Sequence, residues 1–119
     1  MTQANAVETV RDGYTFDADS IELGVLMVDG EPRPDVPIRI SLSMLNRHGL
    51  VAGATGTGKT KTLQLMAEQI SHAGVPVFAA DIKGDLSGIA LPGTPNDKLL
   101  ARTRKIGQEW QAAGCPTEF

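Results

Sequence analysis

A mixed α/β fold with a parallel sheet is predicted for this chain by three observations. A short apolar stretch, Gly49-Leu50-Val51-Ala52, runs directly into a glycine-rich loop. The loop leads into a segment with helical spacing. A second apolar stretch, Val75-Pro76-Val77-Phe78-Ala79-Ala80, follows a glycine and ends in Asp81. Strand, loop, helix and strand in this order make a β-α-β unit over residues 46–85, whose strands run parallel through a right-handed crossover.

The remaining elements follow in chain order. Residues 1–20 are polar, carry several acidic groups and show little periodicity, which predicts a weakly ordered lead. Ile21, Leu23, Val25 and Met27 alternate with other residues, and Val36, Ile38, Ile40 and Leu42 alternate again beyond Asp29-Gly30-Glu31-Pro32. That pattern predicts a short β-hairpin over 21–45, with its prolines at an edge because proline cannot donate to a ladder. Within the central unit, Leu63, Met66, Ala67 and Ile70 share a helical face over 59–72, and Gly74 stands where the helix stops. The glycines and prolines through Pro95 predict a loop with a helical turn near 86–89. A last helix is predicted over 96–111, with Leu99, Leu100, Thr103, Ile106 and Trp110 as its apolar stripe and Gly114-Cys115-Pro116 closing it. Trp110 reads as a packing residue rather than a nucleotide-stacking one.

Composition narrows the function classes. Hydrophobic residues make up 41% and charged residues 21% of 119 residues, a balance that supports a packed core. The formal net charge of −3 offers no general attraction for nucleic acid or an anionic membrane. One cysteine, Cys115, forms no internal disulfide, and with only His48 and His72 it makes no zinc site. There is no charged-then-apolar leader and no apolar run of membrane-spanning length, so the cytoplasm is the simplest compartment. The chain is short for a complete nucleotide-driven motor, and residues 21–119 are expected to be the N-terminal part of a larger ATPase domain.

The loop carries the chemistry. Gly53-Ala54-Thr55-Gly56-Thr57-Gly58-Lys59-Thr60 matches G-x-x-x-x-G-K-[ST], the P-loop or Walker A pattern, in the strand-loop-helix context that pattern requires. Its glycines let successive N–H groups turn inward around a phosphate, and the helix that begins at Lys59 adds free N–H groups through Lys61. Lys59 can reach β- and γ-oxygens, and the Thr60 hydroxyl is suited to Mg²⁺. Gly53, Ala54, Thr55, Gly56, Thr57, Gly58, Lys59, Thr60 and Lys61 are therefore the expected phosphate-binding set. Asp81 ends an apolar run, the position of a Mg²⁺ carboxylate, but three readings stay open for it: the main metal carboxylate, an ancillary site group, or a loop cap. Asp85 reads as a turn or cap residue. No N-K-x-D-like segment is present to read guanine, which favours ATP by elimination.

Two blocks together, residues 46–60 and Val77-Phe78-Ala79-Ala80-Asp81-Ile82-Lys83-Gly84-Asp85-Leu86-Ser87-Gly88, resemble a bacterial family of HerA-like ATPases within the wider HerA/FtsK group. The likeness runs from about residue 21 to the end. It implies a RecA-like P-loop NTPase core that assembles as a hexameric ring and couples hydrolysis of ATP, with Mg²⁺, to movement of DNA. It also implies that Asp81, Lys83, Gly84 and Asp85 form a site-proximal loop and that Arg47 reaches a neighbouring subunit's nucleotide. The Asp-Glu strand of that family has no counterpart here. Two other classes compete: a nucleotide-binding switch module, and a small kinase for which Arg102-Thr103-Arg104-Lys105 would be the arginine-rich lid. A solvated basic helix face accounts for those four residues more simply.

Overall fold

The computed structural model describes residues 2–119; Met1, the first residue of the predicted lead, lies outside the described residues. The described chain is of mixed α/β class, with three α-helices and one two-stranded antiparallel sheet. It forms two compact units, one from Met1–Arg47 and Asn96–Trp110, the other from His48–Pro95 and Gln111–Phe119.

The first unit opens with α1, Gln3–Tyr14, where the sequence leads one to expect little order. Thr2 caps it, its hydroxyl accepting the Asn5 N–H, and Arg11 lies in the last turn, where a cation complements the helix dipole. Val7 is buried, and its neighbours on β2 account for the order that local pattern alone did not announce. The predicted hairpin is present as β1, Ser20–Val28, and β2, Glu31–Ser41. Asp29 (φ 50°) and Gly30 (φ 81°) make its two-residue turn, in the left-handed conformation that such turns demand. Gln3 steadies this turn by donating to the Asp29 carboxylate at 2.6 Å.

The hairpin is irregular where its prolines fall. Leu26 pairs with Arg33 but Val25 pairs with Pro37, so residues 34–36 bulge from the ladder. The bulged Val36 is fully buried, as is Ile21 on β1. It also presents Asp35 to both Arg11 and Arg33. The hydrogen bonds from Arg33 hold the Asp35 carboxyl below the usual carboxylate range.

A further helix, here α3, Asp97–Lys105, belongs to the same unit and starts as predicted, the Asn96 side chain accepting the Leu99 N–H at 2.9 Å. It ends earlier than predicted. Gly107 (φ 72°) donates to Arg104 O and Gln108 donates to Thr103 O, the paired bonds of a Schellman stop, so Trp110 lies beyond the helix and not on its stripe. Thr103 is buried and Lys105 pairs with Glu31 at 3.1 Å.

In the second unit, α2, Lys59–His72, has the predicted bounds. Gly74 (φ 85°) donates to Ser71 O and Val75 to Ile70 O, a second Schellman stop at the expected glycine. A 3-10 turn, Ser87–Ala90, stands close to the predicted helical turn. The peptide N–H of Cys115 donates to Ile89 O at 2.9 Å, bringing the C-terminal tail onto that turn. Gly114 permits this approach, since a Cβ there would meet Ala90 O at 2.7 Å. Burial, and secondarily the charge of Glu68, pushes the Cys115 thiol up.

The predicted parallel sheet is not shown by the described residues. Neither Gly49-Leu50-Val51-Ala52 nor Val75-Pro76-Val77-Phe78-Ala79-Ala80 forms a strand, and the sheet of the described residues contains the hairpin alone. A strand exists through its ladder, and an isolated pair of parallel segments buries too little to hold one. Leu50 is 89% exposed and Phe78 93% exposed, so the apolar runs that resemble inner strands have no layer packed on them.

Candidate functional site

The glycine-rich loop, residues 53–58, lies on the surface immediately before α2. Its shape depends on three glycines. A Cβ on Gly53 would stand 2.5 Å from the Thr57 hydroxyl oxygen, while Gly56 (φ 78°) and Gly58 (φ 95°) occupy the left-handed region. Thr57 fastens the turn through its hydroxyl and its N–H, both donating to Ala54 O, at 2.7 and 3.4 Å. Lys59 folds back over the loop and donates from Nζ to the same carbonyl at 2.7 Å.

The helix behind the loop begins without a capping side chain. Gly58 supplies none, the first turn holds no acidic residue, and Gly58 O accepts the Thr62 N–H as the first helical bond. The N–H groups of Lys59, Thr60 and Lys61 thus precede the first residue whose amide is satisfied within the helix. With the helix dipole and the Lys59 ammonium, they create a concentration of positive potential at one surface point. Backbone N–H groups turned by left-handed glycines, together with one ammonium, are the donor set that an oxyanion of phosphate type requires. Thr60 is half-buried at the start of α2.

Asp81 sits in a second loop of the same unit. Its Oδ2 accepts the Leu86 N–H at 2.7 Å, while Ser87 donates to Gly84 O from its hydroxyl at 2.7 Å and from its N–H at 3.3 Å. Gly84 turns at φ 75°. The loop-cap role is therefore observed, and it engages one carboxylate oxygen. Oδ1 and the Thr60 hydroxyl are hard oxygen donors of the kind Mg²⁺ takes. Among the described residues no three His, Cys, Asp or Glu side chains gather as a metal cluster.

Sequence reading missed one participant in this unit. Gln64, on α2, donates to Asp85 O at 2.9 Å and accepts from Lys61 Nζ at 2.9 Å, joining the helix to the Asp81 loop. A glutamine on a helix carries no motif signal that would have singled it out. Arg47 is exposed in the bend after a 3-10 turn, Leu42–Met44, and is assigned to the first unit.

The fold and loop define a mixed α/β protein whose glycine-rich turn opens a helix. The family model described as Helicase HerA-like C-terminal matches residues 27–119. The chain belongs to this HerA-like helicase family. The match begins inside β1, so α1 precedes it. The DNA double-strand break repair helicase HerA of Sulfolobus acidocaldarius is 27% identical over 77 residues, which is 65% of this chain and 14% of the relative. The chain thus spans about a seventh of that relative's length, and that relative is archaeal rather than bacterial. No solved structure matches the chain. No helix of the described residues is long and apolar enough to cross a membrane.

Proposed function

We propose that residues 53–61 bind the triphosphate of ATP with Mg²⁺, and that the chain is the nucleotide-binding part of a HerA-like helicase that couples ATP hydrolysis to DNA movement. The observation that carries the reading is the uncapped start of α2, joined to a loop with two left-handed glycines and to Lys59 folded across it. In this reading Gly53, Ala54, Thr55, Gly56, Thr57 and Gly58 wrap the β-phosphate with their backbone, and the N–H groups of Thr60 and Lys61 donate to its oxygens. Lys59 leaves Ala54 O for the β- and γ-oxygens, exchanging a neutral acceptor for an anionic one. It then offsets charge that grows on the γ-phosphoryl group during transfer, which makes it the catalytic residue of this segment. Mg²⁺, when bound, would neutralise the phosphate oxygens, with Thr60 and Asp81 as its protein-side oxygen donors.

Membership of a helicase family and the likeness to a DNA repair helicase support DNA as the partner of the whole protein. A homo-oligomeric ring, with Arg47 offered to a neighbour's nucleotide, belongs to the same proposal. The basic residues of α3 read as a solvated helix face rather than a kinase lid, with Arg102 and Arg104 exposed and Lys105 paired with Glu31.

Asp81→Asn separates the two roles of that carboxylate. Asparagine retains an oxygen to accept the Leu86 N–H but loses the charge that attracts a cation. ATP affinity measured with and without Mg²⁺ should show the metal's enhancement reduced about tenfold, with Mg²⁺-free affinity little changed. An enhancement equal to that of the parent protein would leave Asp81 as a loop cap alone.

A further inference from the structure

We infer that Gln64 is a positioning residue that sets the Asp81 loop against the phosphate-binding helix, so that metal and phosphate donors act as one site. The inference rests on the phosphate reading of residues 53–61 given above. Gln64 lies on α2 five residues after Lys59 and is half-buried. Its amide has a donor end and an acceptor end, and both are used, one across to the Asp81 loop and one within α2. Nε2 donates to the Asp85 carbonyl, 21 residues along the chain, at 2.9 Å. Oε1 accepts from Lys61 Nζ at 2.9 Å, one turn back toward the loop. The partners fix the amide's orientation, because an ammonium only donates and a carbonyl only accepts.

The consequence is mechanical. Asp85 directly precedes Leu86, whose N–H holds Asp81 Oδ2 at 2.7 Å. Gln64 Nε2 also lies 3.9 Å from where a Cβ of Gly88 would stand, so the amide spans the far side of the same turn. Holding Asp85 O therefore holds the peptide that orients Asp81. At the other end, the Lys61 side chain anchors the amide from one turn earlier on α2. Neither Gln64 nor the Asp85 carbonyl needs to touch nucleotide or metal for this role. The residue acts on the metal side, through the peptide that orients Asp81, while its bond from Lys61 Nζ only holds the amide in place.

Two variants test it in the full-length protein, with the affinity for ATP measured in the presence and absence of Mg²⁺. Gln64→Glu keeps an oxygen for Lys61, now as an ion pair three residues apart that favours the helix, but removes the donor and sets an anion against the Asp85 carbonyl. Gln64→Leu removes both bonds without adding charge. In both variants the factor by which Mg²⁺ raises ATP affinity should fall about five- to tenfold, while Mg²⁺-free affinity stays within about twofold of the parent. An unchanged Mg²⁺ factor in both overturns the positioning role and leaves the phosphate site intact. Loss of Mg²⁺-free binding in both also overturns it, because Gln64 would then support the phosphate loop itself. A parent protein that binds no ATP in either condition overturns the phosphate reading and this inference with it.

Discussion

Replacing Lys59 with alanine should reduce affinity for ATP by about 100-fold or more, while leaving α2 in place. The size follows from what the ammonium does on ligand binding. In the free loop it donates to Ala54 O, a neutral carbonyl at an exposed surface, and with ligand it would meet anionic phosphate oxygens. Charge-assisted bonds are about twice as strong as neutral ones, and roughly 1.4 kcal/mol corresponds to each factor of ten in binding. Alanine has the higher helix propensity, and Gly58 O still accepts the Thr62 N–H, so the start of the helix survives the change. Equilibrium titration of parent and Lys59→Ala proteins with ATP, accompanied by circular dichroism, measures both parts. Equal affinities would remove Lys59 from the site.

Ile21→Ala should destabilise the first unit by about 2–4 kcal/mol, the usual range for truncating a buried isoleucine. Ile21 is 1% exposed and Val36 is fully buried, and with Val7 they make up the buried aliphatic core of that unit. So few buried side chains leave little to compensate a cavity, and total stability of small domains is itself only a few kcal/mol. The ion pairs around Asp35 offer little relief, since Arg11, Arg33 and Asp35 are all substantially solvent-exposed. Urea unfolding followed by amide exchange at β1 and β2 measures the loss. A midpoint within experimental error of the parent would mean that the hairpin is held by something other than this core.

What the sequence made legible was local, and what it did not was set by partners distant in the chain. The hairpin was readable because alternation and Asp29-Gly30 are both short-range signals. Helix α2 was readable to the residue because the loop glycine starts it and Gly74 stops it. The stop of α3 was also present in the sequence, as a basic last turn followed by Gly107, but a later glycine and proline drew the boundary outward. Helix α1 was missed because its order comes from burying Val7 against β2, a contact that composition does not reveal. The two apolar runs around the central helix have strand-like composition, but composition carries no ladder of its own. Sheet formation needs neighbours, and the described residues supply those only to the hairpin.

The candidate site divides along the same line. The shape of the glycine-rich loop was legible because its contacts are short-range, as that of Lys59 with Ala54 five positions away. The role of Asp81 was left open because it depends on how the following loop turns, and the turn at Gly84 directs one of its oxygens to Leu86. Gln64 was invisible because its partner Asp85 lies 21 residues away.

The most direct test of the central claim is a two-dimensional amide NMR titration of the protein with ATP and Mg²⁺. Phosphate binding to the start of α2 predicts that the largest shifts fall on the amides of Gly56, Gly58, Lys59, Thr60 and Lys61, with smaller ones at Leu86 and Ser87. Saturating ATP that leaves those five amides unmoved, or that moves chiefly the amides of α1 and the hairpin, would contradict it.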